Sequence, residues 1–341
     1  MRFSVALCTC NGGAYLREQL DSLAAQTRLP DELVVCDDAS TDNTASIIEH
    51  FALEVPFPVR VFVNEVRLGV TRNFDRAFGL CQGDLIAPAD QDDVWHPDKL
   101  RLIEEQFATD ADVGLVFTDL EVVDERLQPL GHRAWQSDGV EFDRGPQRLL
   151  DRGKAVDVLL TRNVVTGCAM AFKSRFRSLV CPIPLEVCGL RIVHDYWIAA
   201  LVAAASKVRY LDRPLVKYRR HGNQQVGLSG PRTEPDPNAW TRGCRRMVAY
   251  PVWADLSEAI GERLAGAGPP FADAGIISAL TQRAQHARTR ELVWNYHYPR
   301  RVLTVLGEVL RLHYHRFPHP DGDGYELARD LLPYRFLPRF F

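Results

Sequence analysis

Five short apolar runs alternate with four helix-spaced segments before residue 125, and most of the runs end in acidic or small polar residues. FSVALC (3–8), ELVVCDD (32–38), VRVFVN (59–64), DLIAPAD (84–90) and VGLVFTDLEVVD (113–124) read as strands. Between them, GAYLREQLDSLAAQT places Leu16, Leu20 and Leu23 at helical spacing. HPDKLRLIEEQF places Leu100, Ile103 and Phe107 on one face, with Pro97 in its first turn. STDNTASIIEHF opens with helix-starting residues, and GVTRNFDRAFGLC supplies the remaining helix. This order predicts an α/β architecture, a mostly parallel central sheet flanked by helices, in which ligands bind outside the carboxyl ends of the strands.

That rule gives the acidic residues a common address. Asp37 and Asp38 close the second strand, Asp90, Asp92 and Asp93 close the fourth, and Asp119 follows the fifth. Carboxylates spaced by one residue in extended chain project to the same side. They can hold one hard divalent cation, Mg2+ or Mn2+, through oxygen. A solvated acidic loop capping the helix at Pro97 is the plain alternative. CTCNGG ends the first strand, where Thr9, Asn11 and the glycines let backbone approach a nucleotide or simply make a turn. It is not G-x-G-x-x-G, and no G-x-x-x-x-G-K-[ST] loop occurs, so dinucleotide and Walker-type phosphate sites are excluded.

From about 125 to 160 the pattern weakens and reads as a loop-rich insertion; NVVTGCAMAFKSRF (163–176) resumes strand character. HDYWIAALVAAASKV (194–208) reads as helix, RYLDRPLVKYRRH as strand and turn, and residues 222–239 as a polar loop or linker. The rest is helical, broken at GAGPP and PHPDGDG. A net charge of −3 recruits no nucleic acid. From Trp240 onward, however, 14 Arg and no Lys face 10 acidic residues, about +4, which leaves about −7 on the remainder. Eight cysteines without a C-x-x-C pair, mostly in apolar runs, read as reduced buried thiols. No signal peptide is visible and no stretch approaches the ~18 apolar residues of a membrane span. The expectation is a cytoplasmic protein that can still lie on the inner face of the membrane.

The segments VALCTCNGGAYLREQLDSLAAQT, ELVVCDDASTDNT, GVTRNFDRAF, GDLIAPADQDDVWHPDKL, HDYW and YRRHGNQ together resemble the family 2 inverting glycosyltransferases, which have the GT-A nucleotide-diphospho-sugar transferase fold. The DQDDVW form is similar to the rhamnosyltransferase-like branch. The resemblance covers roughly residues 3–225. It implies a catalytic domain over 1–225, with a nucleotide-sugar half (1–120) and an acceptor half (125–225); beyond it the sequence pattern gives a linker (226–240) and a helical C-terminal region (241–341). It also implies a hexosyltransferase that uses a divalent cation and a UDP- or dTDP-linked donor, with a tilt toward dTDP-rhamnose. The acceptor would be a hydroxyl of a glycan or lipid-linked sugar in cell-surface polysaccharide synthesis.

The resemblance assigns roles residue by residue. Thr9 and Asn11 match positions lining the nucleoside pocket, Asp37 or Asp38 the carboxylate that bonds the pyrimidine, and Arg72 a basic position facing base or diphosphate. Asp90 and Asp92 match the outer carboxylates of the D-x-D signature, Asp92 as metal ligand and Asp90 as ligand or sugar contact; Asp93 is a third member, with Trp95 as packing beneath. His221 reaches the metal or diphosphate, and Arg219, Arg220 and Asn223 close over the diphosphate. Thr166 and Gly167 lie near the sugar. Asp195 is the base that deprotonates the acceptor, as an inverting displacement requires, with His194 its neighbour.

The family's frequent Pro and aromatic in the first turn are replaced by Gly12 and Cys10. The Q-x-x-R-W signature of polymerising members is absent, which favours transfer of one sugar. Two other readings stay open: a sugar-phosphate nucleotidyltransferase, which wants a basic loop after the first strand where this chain has no Lys or Arg before Arg17, and a catalytically inactive nucleotide-sugar-binding module. In the C-terminal region, RRVLTVLGEVLRLHYHRF puts Val302, Val305, Leu306 and Val309 on one face and Arg301, Glu308 and Arg311 on another, and the tail LLPYRFLPRFF adds aromatics and arginine. Such a region suits peripheral membrane contact, a homodimer or packing within the chain.

Overall fold

A computed structural model of the protein describes residues 1–137, 139–187, 189–222, 224, 239–293, 296–317 and 330–331. Most of the expected linker over 226–240, Asn223 and most of the aromatic tail lie outside the described residues; the last two linker positions, 239 and 240, are helical. The chain forms two compact units: Met1–Glu141, Asn163–Leu185 and Ile192–Pro231 make the first, and Phe142–Arg162, Glu186–Arg191 and Arg232–Phe341 the second.

The first unit begins with β1 (Phe3–Thr9), α1 (Leu16–Ala24), β2 (Glu32–Asp37), α2 (Thr44–Glu54), β3 (Val59–Val63), α3 (Val70–Leu80), β4 (Leu85–Asp90), β5 (Val94–Trp95), α4 (Lys99–Thr109), β6 (Val113–Val123) and β7 (Pro129–Arg133). The second unit contributes α5 (Arg144–Asp151) and α6 (Ala155–Leu159). The chain then returns to the first for β8 (Met170–Lys173) and α7 (Arg177–Val180), and to the second for the hairpin β9 (Glu186–Val187) and β10 (Leu190–Arg191). α8 (His194–Ala205) and β11 (Lys207–Arg219) complete the first unit, and α9 (Ala239–Ala267), α10 (Ala274–Val293), α11 (Tyr298–Leu310) and α12 (His313–Arg316) the second.

The sheet order is β3-β2-β1-β4-β8-β6-β11-β5, with β7 on β6. β1, β2, β3 and β4 pair in parallel, and β8 runs antiparallel between β4 and β6. All of β1 and β2 is buried, which is why these strands read as unbroken apolar runs rather than alternating ones. Leu16, Leu20, Leu23, Leu100, Ile103 and Phe107 are buried in the core beside Val5, Leu7, Val35 and Ala87. Register fixes the functional edge: Thr9 lies opposite Asp37, and Cys8 opposite both Cys36 and Asp90. The short β5 pairs antiparallel with β11, Trp95 to Val216 and Val94 to Lys217, which carries the acidic turn before β5 to the end of β11.

Several local expectations are corrected. Residues 125–160 hold β7, α5 and α6. α5 was masked in the sequence because only Pro146 and Leu150 of its eight residues are buried; Asp143 starts it by accepting from the Gly145 N–H. Only Met170–Lys173 of the 163–176 segment is strand, since a 3-10 turn at Gly167–Ala169 precedes it. Asp119 lies inside β6, not after it, and accepts from the N–H groups of Leu120 and Trp135. In α11 the expected faces hold in part: Val305 is buried and Arg311 exposed, but Arg301 and Glu308 are buried while Leu303, Leu306 and Leu310 are exposed. Arg301 can be buried because its Nε donates to the Asp330 carbonyl at 2.7 Å. Among the described residues, the Cys8, Cys36, Cys81 and Cys168 side chains are buried and those of Cys10 and Cys181 half-buried. No described helix is long and apolar enough to cross a membrane.

Candidate active site

The turn after β1 is built by side chains from three other segments. Asn11 adopts a left-handed conformation (φ 50°), its N–H donates to Ser40 Oγ at 2.8 Å, and its Oδ1 accepts from the Thr41 N–H at 2.8 Å. Gln91 clamps Cys10 from both sides, accepting from its N–H at 2.8 Å and donating to its carbonyl at 3.2 Å. A Cβ on Gly12 would lie 2.3 Å from Gln91 Oε1, and one on Gly13 2.0 Å from Asn43 Oδ1, so a side chain at either position would displace the amide that meets it. The Gly12 N–H donates to Thr44 Oγ1 at 2.9 Å, a bond that proline could not make.

Asp37 and Asp38, both buried, follow directly in space. Asp37 accepts from Thr9 Oγ1 (2.7 Å), Ser40 Oγ (2.6 Å) and the Ser40 N–H (2.9 Å). Asp38 accepts from Asn64 Nδ2 (2.7 Å) and the N–H groups of Leu68 (2.7 Å) and Gly69 (2.9 Å). Each carboxylate offers about four lone-pair directions, so one remains on each. Arg72 is exposed in the first turn of α3, and the loop held by Asp38 also exposes Arg67, whose charge reaches the Cys10 thiol.

The acidic turn divides into an open and a buried part. Asp90, half-buried at the end of β4, has its carboxyl pushed up to about 7, first by burial and then by the charges of Asp92 and Asp195. Asp93 is fully buried, and burial followed by Asp92 and Asp90 raises its carboxyl well above the ordinary range. Its Oδ1 accepts from the Arg219 N–H at 3.2 Å, and its Oδ2 has no partner. Ligand atoms of Asp90, Asp93 and Cys168 lie within 4.8 Å of one another. Lys99, also fully buried, seats its ammonium 3.0 Å from the centre of the Trp95 ring and donates to the Cys168 carbonyl at 2.5 Å. Burial depresses its pKa strongly, while Cys168, Asp93 and Asp90 oppose that. Trp95 is the floor of this cluster, with 2% exposure.

Asp92 faces the other way. Its Oδ2 lies 2.8 Å from His221 Nε2, and the His221 ring packs 4.9 Å from that of Tyr15. Arg219, only 1% exposed, donates from Nε to the Asp92 carbonyl (2.8 Å), from one terminal nitrogen to the Glu125 carbonyl (2.5 Å) and from the other to the Glu18 carboxylate. Its guanidinium also sits 4.5 Å over Tyr15. The structure thus spends Arg219 on protein partners, where the sequence suggested a diphosphate contact.

Asp195 opens α8. Its Oδ1 accepts from Asn163 Nδ2 (3.2 Å) and the Tyr196 N–H (2.6 Å), and its Oδ2 from the Gly167 N–H (3.1 Å). Gly167 must be glycine, because a Cβ would stand 2.6 Å from His194 Nε2. The next residue, Cys168, belongs to the Asp90–Asp93 cluster, so this 3-10 turn joins Asp195 to the D-x-D carboxylates. His194 is buried, stacked 4.1 Å from Phe74 and without a hydrogen-bond partner at either nitrogen; burial lowers its pKa and keeps it neutral. Thr166 is half-buried beside the turn.

Gln91, Lys99, Cys168, Tyr15 and Glu18 escaped the sequence reading. Lys99 had a signal: it lies four residues before Ile103 and eight before Phe107, a charge on the apolar stripe of α4.

The model of the family described as Glycosyl transferase family 2 matches residues 4–179, just over half of the 341-residue chain. An uncharacterized glycosyltransferase of Nostoc sp. is 29% identical over 225 residues, 65% of this chain and 66% of that protein. The chain therefore spans slightly less than two thirds of that relative. The dTDP-rhamnosyl transferase RfbG of Shigella flexneri is 25% identical over 237 residues, 65% of this chain and 74% of that protein. Among solved structures, S. aureus TarS 1-349 in complex with UDP-GlcNAc superposes with a TM-score of 0.52 at 16% identity, covering 99% of this chain and 91% of that one. This likeness bears out the expected fold.

Proposed function

Because this chain belongs to glycosyl transferase family 2, we propose that it is a metal-dependent inverting glycosyltransferase. It would move one sugar from a UDP- or dTDP-sugar to a hydroxyl of a glycan or lipid-linked acceptor. The observation that carries this reading is the convergence of Asp90, Asp92 and Asp195 on one sheet edge, strong enough for the charges of Asp92 and Asp195 to raise the Asp90 carboxyl.

Crowded carboxylates of this kind fit a divalent cation, whose charge relieves the repulsion. The fully buried Asp93 and the Cys168 thiol are poor ligands for a hard ion that prefers solvated oxygens. Asp92 and Asp90 would therefore hold the ion, with His221 orienting Asp92 or adding a ligand of its own. When bound, the cation supplies Lewis-acid stabilisation to the departing nucleoside diphosphate.

The residues of the chain do the rest. Asp195, held by three N–H groups, takes the proton of the acceptor hydroxyl as it attacks the anomeric carbon from the face opposite the leaving group. The free lone pair on Asp37 or Asp38 suits the N3–H of uracil or thymine, and Thr9 and Asn11 shape the wall beside it. Arg72 and Arg67 are the exposed cations available to base or diphosphate.

Similarity to a dTDP-rhamnosyl transferase favours dTDP-rhamnose as donor. Arg17, the first basic residue after β1, is tied to Asp21 and Glu54, so the turn lacks the basic loop of a nucleotidyltransferase. In the second unit, exposed Leu303, Leu306 and Leu310 suit contact with a lipid surface or a second copy.

A panel of UDP- and dTDP-sugars incubated with Mn2+ tests this directly. Release of nucleoside diphosphate from one of them, abolished by chelation, supports the reading. Pyrophosphate release from a nucleoside triphosphate and a sugar phosphate, with every nucleotide sugar inert, would replace it with nucleotidyl transfer.

A further inference from the structure

The second unit contains a cluster that glycosyl transfer does not use. Glu308 of α11 is buried, and its Oε2 lies 2.6 Å from His286 Nδ1 and 2.9 Å from His313 Nδ1. One ligand atom from each residue lies within 4.8 Å of the other two. The residues come from α10, α11 and the start of α12. Leu312, in a left-handed conformation (φ 58°) that bulky residues seldom adopt, turns the chain so that His313 faces back to Glu308. The imidazole planes cross at 70° with centres 5.7 Å apart, and the Tyr314 ring stands 4.9 Å from His286 as an apolar wall.

We propose that His286, Glu308 and His313 bind one transition-metal cation of borderline softness, Zn2+ by preference, which ties α10, α11 and α12 together. Two imidazole nitrogens and a carboxylate oxygen are the donors such ions choose, and a hard Mg2+ or Mn2+ would not select them. Arg290 is a buried cation on the same helix as His286. Arg290 is itself paired with Asp330, and Arg311 reaches the other Glu308 oxygen, Oε1, at 3.4 Å, leaving Oε2 to the histidines. Metal–ligand bonds of about 2.0–2.2 Å place neighbouring ligand atoms roughly 3.3 Å apart, so the carboxylate has to withdraw by less than about 1 Å. His313 is 13% exposed and gives the ion a route in.

The test uses the full chain, freed of metal by chelator dialysis and titrated with Zn2+ and with Co2+. An Asp92→Asn protein runs in parallel to separate this site from the D-x-D carboxylates. We expect one equivalent of Co2+ with the intense visible absorption of a low-coordinate nitrogen and oxygen site, alike in wild type and Asp92→Asn. We also expect a Zn2+-dependent rise in melting temperature. His313→Gln, chosen because this half-buried side chain tolerates replacement, should bind Zn2+ at least about tenfold more weakly and lose that rise; Glu308→Gln should do the same. Undiminished Zn2+ affinity in His313→Gln, loss of the Co2+ signal in Asp92→Asn, or no binding by wild type would each overturn the assignment, leaving a hydrogen-bonded His–Glu–His cluster.

Discussion

His221 Nε2 lies 2.8 Å from Asp92 Oδ2, a contact between residues 129 positions apart. It forms because β5 pairs with the end of β11, so the acidic turn entering one strand meets the residues leaving the other. One histidine thereby fixes the carboxylate proposed above as the metal ligand. The predictions below follow from this arrangement and its neighbours.

Replacing His221 by Ala should leave the fold intact and misorient Asp92. Loss of such an orienting partner typically costs about 10–100-fold in metal affinity or activity. Mn2+ activation curves of the variant should shift to higher concentration by that factor; an unchanged curve would make the contact incidental.

Asp195→Asn keeps an acceptor for the Tyr196 and Asn163 donors, gives up the bond from the Gly167 N–H and removes the proposed base. Its kcat should fall by at least about 10²-fold with little change in the donor KM. A fall confined to KM would assign Asp195 to binding instead.

Lys99→Met removes the buried amine that donates to the Cys168 carbonyl while preserving most of the packing on Trp95. A buried carbonyl left without its donor costs roughly 1–3 kcal/mol, and urea unfolding should register a loss of that order. Unchanged stability would mean that Lys99 acts through packing alone.

Burial raises the Asp119 carboxyl to about 6, from 3.8, against the opposing effect of the two N–H groups it accepts from. The folded protein therefore holds a proton that the unfolded chain has already lost, and stability falls as pH rises between those values. The contribution is about 3 kcal/mol. Asp119→Asn keeps an acceptor for both N–H groups and should lack this slope, so the stability curves of the two proteins should cross or converge between pH 4 and 6. Parallel curves would show that the carboxyl titrates normally.

The legible part of this molecule was the part whose physics is local or periodic. Strands buried on both faces announce themselves as apolar runs, and a strand end followed by carboxylates marks the ligand edge of a parallel sheet. Asp37, Asp38, Asp90 and Asp92 could be placed on that edge because the register of β1, β2 and β4 follows from the runs themselves. What long-range pairing decides was not legible. That Arg219 turns inward depends on Glu18, Glu125 and Asp92 arriving from three distant segments. The burial of Arg301 and Glu308 depends on Asp330 and two histidines, so a helical wheel that treats charge as exposure misplaces both on α11. Gln91 reads as filler between carboxylates until its amide is seen clamping Cys10 across 81 positions.

The central claim is that Asp92 carries a divalent cation that holds the diphosphate of the donor. Calorimetric titration of UDP and dTDP into wild type and Asp92→Asn, each with Mn2+ and with chelator, measures it most directly. We expect one of the two nucleotides to bind wild type with Mn2+, and to lose at least about tenfold in affinity on chelation. Asp92→Asn should show that weaker binding with or without Mn2+. Equal affinity of wild type in both conditions, or a Mn2+-dependent gain that survives in Asp92→Asn, would contradict it.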